Sequence, residues 1–460
     1  MPESPVVIIG GGISGLATAF YLGRLGIRSI LVEKSNRLGG LIKTDVIEGC
    51  RLEAGPDSFI ATKPAVAKLT QELESSRPTI IGSNDATRRV FIGRKGHLVP
   101  MPRGMSMMVP GDWKSALSSP LFSLATKAGF VAEQFRRPKK RSNDISVGEF
   151  VADHFGHEVL EYLADPLLTG VYGGQVSQLS ARSVLPRFLE HEEKYGSLIR
   201  GVRQNRQQPS HKGSLFLSFE GGMQALTDAV TTHLSTTTQI VRGEVSSVQK
   251  NGAKWRIHIA SESIQADHVV FACPSHAVSR LVENFATLLA ADLHAIPYSS
   301  AILVTLVYER AALGRPLDGF GFLVPRPERR NIAAATWIST KFPSRTPSHL
   351  AAIRAFIVAR EAIALMNASD PELLELTKTE LQHWMGISVA PRFHTLYRWP
   401  SSMPQYVVGH RQRIQSIEER LHEHPGLFLS GNAHDGVGIP DCVRRAEAIA
   451  ESISLNYHKL

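Results

Sequence analysis

The first forty positions alternate apolar runs with polar breaks in a way that predicts strand, turn, helix and strand. Val6–Ile9 is a short β-branched apolar run, followed by Gly10-Gly11-Gly12-Ile13-Ser14-Gly15. From 14 to 25, Leu16, Ala19 and Phe20 recur at helical spacing with Gly23 on the same face, and Gly26 stands where a left-handed cap is expected. Residues 28–33 predict a second strand, making one βαβ unit of a parallel sheet.

The texture changes near residue 88. Four of the nine methionines fall within 101–108. Leu121, Leu124, Ala128, Val131 and Phe135 then recur at helical spacing, ending in the basic run Arg136-Arg137-Pro138-Lys139-Lys140-Arg141. Helical signals continue over 147–163, and 204–212 is polar and loop-like. Strand patterns return at 215–219, 239–248 and 266–272, then across 298–359. A final strand, 427–430, leads through a glycine-rich turn into a closing helix over 443–453. No repeat of 20–50 residues or low-complexity tract is present.

Composition narrows the class. The 460 residues suggest about three domain-sized units. Hydrophobic content of 43% with 20% charged residues excludes a disordered chain and a multi-span membrane protein. Cys50, Cys273 and Cys442 are widely spaced and odd in number, so neither a disulfide framework nor a zinc site is expected. Met1 to Pro5 lacks a basic n-region, and no run reaches the ~18 apolar residues of a spanning helix, so a cytoplasmic location is expected. The net charge of +9 leaves nucleic acid, anionic lipid and an acidic small molecule as candidate partners.

The glycine turn narrows the chemistry. Gly10, Gly12 and Gly15 lie between strand and helix, where they permit a tight turn, close approach of a pyrophosphate and close helix packing. The anion would sit at the helix N-terminus. Glu33 ends the second strand, where a carboxylate accepts from ribose hydroxyls and repels a 2′-phosphate, which argues against NADP. A purely structural turn with a solvated glutamate is the plainer alternative. Arg37-Leu38-Gly39-Gly40 follows directly, a cation and glycine pair that FAD uses and NAD does not need. The glycine-dense stretch 431–443 would approach a flavin ring, closing the domain with the other chain end.

Further segments fall in order along the chain: Glu53-Ala54-Gly55-Pro56-Asp57-Ser58-Phe59, Gly170-Val171-Tyr172-Gly173-Gly174, Phe219-Glu220-Gly221-Gly222-Met223, Gly319-Phe320-Gly321-Phe322-Leu323-Val324-Pro325, and Pro404-Gln405-Tyr406 with Gly409-His410. With 7–15, 33–40 and 431–443, they resemble the FAD-dependent protoporphyrinogen oxidases (the protoporphyrinogen and coproporphyrinogen oxidase family) within the amine-oxidase-like flavoproteins.

The resemblance implies an α/β chain, α+β overall. It predicts a discontinuous Rossmann-like FAD domain (1–62, 213–290, 409–460), a strand-rich substrate domain (63–87, 291–408) and a helical, membrane-associating domain (88–212). Cofactor contacts fall on Gly10, Gly12, Ser14, Gly15, Glu33, Lys34, Arg37, Gly39, Gly40, Val245, Val437, Gly438 and Ile439. Arg89 would pair with a substrate propionate, and Arg88 is the neighbour that could take that role instead. Gly170 would offer its carbonyl to the pyrrole nitrogens, and Phe320, Leu323 and Phe356 would hold the macrocycle. Two positions depart from the family: Ala359-Arg360 replaces a glycine pair, and Thr336 an aliphatic residue.

The implied reaction is oxidation of protoporphyrinogen IX to protoporphyrin IX in haem biosynthesis, six electrons leaving in three flavin cycles with O2 reduced to H2O2. Coproporphyrinogen III is the alternative substrate, and an amine oxidase or carotenoid desaturase the rival activity. Flavin N5 is the oxidant, so no side-chain nucleophile is needed and none is assigned. A metal is not expected, because His154 and His157 lack a third ligand at suitable spacing. Partners follow: the porphyrinogen, O2, an anionic membrane surface met by the basic run, and a downstream chelatase. Nucleic acid is not among them, for want of a binding motif. The oligomeric state is open between monomer and homodimer.

Overall fold

Short strands build a parallel sheet in the order Thr238–Arg242, Ser29–Glu33, Val6–Ile9, Val269–Phe271 and Leu427–Leu429. This computed structural model describes residues 5–206 and 213–457, so residues 1–4 and most of the polar stretch 204–212 lie outside the described residues. Val6, Val7 and Ile8 are fully buried, as a parallel strand covered on both faces must be. The first helix, Ile13–Arg24, packs its Leu16, Ala19 and Phe20 into one core with Val443, Ala446 and Ile453 of the closing helix, Ile439–Tyr457. The two ends of the chain therefore share one sheet and one core.

The chain divides into two compact units, one running to Ser83 with Ser214–Ile296 and Gln412 onward, the other comprising Asn84–Gly213 and Pro297–Arg411. The expected boundaries shift. Residues 63–83 belong to the first unit, because Ala65–Glu72 buries Val66 and Leu69 in its core. Residues 88–212 and 297–411 share the second, because Val90–Arg94 and His97–Pro100 complete its sheet, while 291–296 stay with the first. The strand expected over 239–248 is two, Thr238–Arg242 and Val245–Asn251, in different sheets.

The second unit's sheet runs Phe393–Pro404, Tyr298–Glu309, Leu350–Val358, Ala334–Trp337, Gly321–Leu323, Val90–Arg94, His97–Pro100. One face (Ile302, Val304, Phe322, Ala335, Ile353) packs with Leu373, Leu381 and Trp384 of the helix Asp370–Met385. That helix and the strand Phe393–Pro404 carry no strong periodic signal in sequence. Among the described residues no helix is long and apolar enough to cross a membrane.

The helical part of this unit shows two features that spacing and charge alone do not fix. The helix Leu124–Glu133 buries Thr126, Phe130 and Glu133, whereas Leu124 and Phe135, members of the apolar series at helical spacing, are 84% and 80% exposed. The basic run is mostly neutralised. Arg136 and Lys139 pair with Asp153, Lys140 with Glu193, and Arg141 with both Asp153 and Glu192. Among the described residues Arg137 is the member without a carboxylate partner. The ion pairs hold the Asp153 carboxyl at about 2, although burial works against them.

His154 is not an ordinary helix residue. Its Nδ1 lies 3.1 Å from Glu133 Oε1 and its Nε2 3.2 Å from Glu192 Oε1, with all three side chains buried. Burial and Arg136 disfavour an imidazolium, but the two carboxylates outweigh them and raise its pKa. Asp153, His154 and Glu192 together could present three metal-ligating atoms, a cluster invisible in sequence because Glu192 comes from another helix. Arg141, donating to both carboxylates, already supplies the positive charge a cation would bring.

Because the folded pKa of His154 is raised, its contribution to stability is full below its unfolded value, about 6.5, and is lost as pH rises through the folded value. Thermal melts should therefore show stability falling above pH 6.5, with His154→Gln less stable at pH 6 and flatter across the range. Equal slopes for the two proteins would contradict the assignment.

Candidate functional site

The glycine turn is shaped by backbone that has no room for side chains. Gly10 has φ 113°, and a Cβ there would lie 2.7 Å from the Ala272 carbonyl oxygen. A Cβ at Gly15 would collide with the Gly10 carbonyl oxygen. Gly12 differs, since its nearest neighbour for a Cβ would be Gly40 Cα at 3.9 Å, so the space over the turn is open. Gly12 is the helix N-cap, no side chain caps the helix, and no acid stands in its first turn. The positive end of the helix dipole is thus left for an anion, which fits a pyrophosphate.

The partners expected in this unit cluster round the turn. Glu33 Oε2 accepts from the Gly11 amide at 2.6 Å and Oε1 from the Ser35 amide at 2.8 Å, leaving each oxygen a lone pair for a ribose hydroxyl. Gly39 donates its amide to Gly11 O at 2.8 Å, so the glycine pair braces the turn. Arg37, expected against the phosphates, donates through Nη1 and Nη2 to the carbonyls of Leu38, Ile42 and Gly40, which shapes the pair. Lys34 is exposed, and Ser14 is buried, its carbonyl accepting from Thr18. Val245 opens its strand two residues after Gly243, whose amide donates to Glu33 O at 3.0 Å. Cys273 and Cys442 are pushed up by burial to about 12 and about 11, so both thiols stay protonated at neutral pH.

At the other chain end, Val437, Gly438 and Ile439 lead into the closing helix. Asp441 in its first turn is chelated by Lys63, whose Nζ lies 2.8 and 2.6 Å from the two carboxylate oxygens. A Cβ at Gly436 would overlap this carboxylate, so the ion pair and the glycine turn require each other. Sequence reasoning missed the pair, since no local signal links positions 63 and 441.

In the second unit, Phe320 donates its amide to Arg89 O at 2.7 Å. Gly319 permits this, because a Cβ there would stand 2.8 Å from Arg89 O and 2.9 Å from the Phe91 ring. Gly321, at φ 134°, presses against the backbone of Ala335. The Arg89 side chain is 58% exposed and meets Asp318 through Nη1 at 3.1 Å. Arg88 is exposed beside it. Leu323, Ala334 and Phe356 are register partners across three strands, which puts them on one sheet face, opposite the core face. Thr336 and Arg354 are the next row of that face, and the Arg354 guanidinium lies 4.8 Å from the Phe356 ring centroid. Leu323 also packs against the helical core. Ala359 takes φ 57°, a left-handed conformation costing a non-glycine residue about 1 kcal/mol, where the family pattern has glycine.

Gly170 lies in the last turn of the helix Asp165–Tyr172, exposed, with nothing within 4 Å of the place a Cβ would take. Its carbonyl meets no backbone donor among the described residues, as expected at a helix C-terminus.

Known proteins share this architecture. The profile of the flavin-containing amine oxidoreductases matches residues 13–454. A coproporphyrinogen III oxidase of Bacillus subtilis (strain 168) is 32% identical, with 98% of each chain aligned. Human protoporphyrinogen oxidase is 28% identical over 97% of this chain and 98% of its own. A crystal structure from Exiguobacterium sp. 255-15, provisionally named protoporphyrinogen oxidase, superposes with a TM-score of 0.89 at 30% identity, covering 99% of this chain and 100% of that one.

Two glycine substitutions separate folding from cofactor binding. Gly15→Ala should lower the melting temperature and abolish flavin absorbance. Gly12→Ala should leave the apoprotein melt unchanged and weaken FAD binding by about tenfold or more, since its methyl enters only the open space. Equal FAD affinity for Gly12→Ala and wild type would remove the pyrophosphate from this turn.

Proposed function

The chain belongs to the flavin-containing amine oxidoreductases, and we propose that within this family it oxidises a porphyrinogen to the porphyrin. The observation that carries the reading is the hydrogen-bonded backbone of Arg89 and Phe320, which ties a residue with an exposed cationic side chain to the chain leading into the strand of Leu323. A porphyrinogen is an apolar macrocycle with carboxylate arms and pyrrole N–H donors. Bound FAD accepts hydride and returns electrons to O2, so one porphyrinogen and three O2 give one porphyrin and three H2O2. The chain's own residues bind and orient. Arg89 takes a propionate through donors that Asp318 leaves unused. Phe320, Leu323 and Phe356 hold the ring and exclude water, and the Gly170 carbonyl accepts from pyrrole N–H.

Coproporphyrinogen III is the substrate this reading favours. The Bacillus relative, 32% identical over 98% of each chain, is named for it. Protoporphyrinogen IX, to which the sequence leaned, is the second reading, favoured by Asp318, which offsets the charge of Arg89. Porphyrin fluorescence under air with each porphyrinogen decides between them. No porphyrin above autoxidation from either would defeat the reading. Arg89→Ala should raise KM about tenfold, the loss of one charge-assisted hydrogen bond, and leave kcat nearly unchanged. An unchanged KM would remove Arg89 from the site.

The same reading brings the helical segment to a lipid surface, through Leu124, Val131 and Phe135 rather than the arginine run. Flotation with anionic liposomes should fall for Leu124→Ser with Phe135→Ser, and change little when Arg136 and Arg141 become Gln. The opposite ranking would restore the basic run as the contact.

A further inference from the structure

Gln405 lies on an irregular stretch after the strand Phe393–Pro404 and is 7% exposed. Its Nε2 donates to Tyr172 O at 2.5 Å and to Met403 O at 3.0 Å, while its backbone amide donates to Pro297 O at 2.8 Å. Tyr172 is the last residue of the helix that carries Gly170. At that helix end, the Gly173 amide takes the Thr169 carbonyl at 2.8 Å and Gln405 takes that of Tyr172. The Gly170 carbonyl stands between these two anchored groups without a backbone donor among the described residues.

The surroundings are built for this amide. A Cβ at Gly174 would collide with Gln405 Oε1, so the glycine makes room for it. The segment after Gln405 is tied to the same region. Ser180 donates its amide to Tyr406 O at 2.7 Å, and Asp144 accepts from both Ser180 Oγ at 2.7 Å and the Gly409 amide at 3.1 Å. Tyr406 stacks on His410, centroids 4.0 Å apart. The Gly-Val-Tyr-Gly-Gly and Pro-Gln-Tyr segments, distant in sequence, form one clamp.

We propose that Gln405 is a positioning residue for the oxidation. By capping the Tyr172 carbonyl it fixes the last helical turn, so that the Gly170 carbonyl is held at the negative end of the helix dipole as an acceptor for a substrate pyrrole N–H. This rests on the porphyrinogen reading above. The chemistry demands an amide. Two carbonyl oxygens face the same nitrogen, and a carboxylate would set a third oxygen against them, whereas its protonated form could satisfy one.

The experiment compares wild-type holoenzyme with Gln405→Leu, Gln405→Glu and Gly174→Ala, with flavin absorbance and melting temperature recorded for each. Porphyrin formation is followed from pH 6 to 9. Gln405→Leu should keep its flavin and lose about tenfold in kcat, the worth of one buried hydrogen bond, with a smaller change in KM. Gln405→Glu should be poorer still at pH 8 and recover as pH falls and the carboxyl protonates, a limb absent from wild type and from Gln405→Leu. Gly174→Ala should reproduce Gln405→Leu, because its methyl displaces the amide. Should Gln405→Leu lose its flavin, the pH limb of Gln405→Glu decides. Wild-type kcat in flavin-replete variants, or a Gln405→Glu profile parallel to wild type, overturns the proposal. A wild-type enzyme that forms no porphyrin defeats the porphyrinogen reading itself.

Discussion

The closeness of the first helix to its strand is the constraint on which the first unit rests. Gly15 lies against the Gly10 carbonyl and Gly10 against that of Ala272, so three backbone segments meet where no side chain fits. This approach lets the helix bury Leu16, Ala19 and Phe20 against the closing helix, which draws the last strand and the Gly436–Asp441 turn into the same core. It also leaves the helix N-terminus uncapped over an open space at Gly12. Packing and anion binding are two results of one backbone geometry.

The second unit uses the same device for different ends. Gly319 and Gly321 let the chain bearing Phe320 run against Arg89 and Ala335, and Gly174 lets Gln405 reach the end of the Gly170 helix. Missing Cβ atoms at these points place side chains with chemistry beside backbone they could not otherwise reach. The surrounding sheet is stiff for an ordinary reason: its other face is buried with the helix Asp370–Met385.

Charge is arranged more locally than the net value of +9 conveys. The basic run is paired with Asp153, Glu192 and Glu193, and a buried histidine between Glu133 and Glu192 completes the network. The segment that is most cationic in sequence is therefore largely paired with carboxylates at the surface, and among the described residues Arg141 alone of its pairs reaches a buried one, Glu192. Its neighbouring helix carries the exposed apolar side chains.

The parallel βαβ opening, the glycine turn, Glu33 and the joining of both chain ends in one cofactor unit were legible in sequence. They depend on local backbone demands and on apolar runs, which leave marks at fixed spacing. The family was legible for the same reason, through glycines whose lack of a side chain is the structural requirement. What only the tertiary structure decided depends on partners far apart in the chain. Helical spacing announced an apolar stripe at Leu124 and Phe135, but whether it faces core or solvent depends on what packs there, and the core took Phe130 instead. Lys63 with Asp441, His154 with Glu133 and Glu192, and Gln405 with Tyr172 are likewise set by folding. A single buried polar contact leaves no periodic trace along the chain, because its energy comes from desolvation and geometry that exist only once both partners are in place.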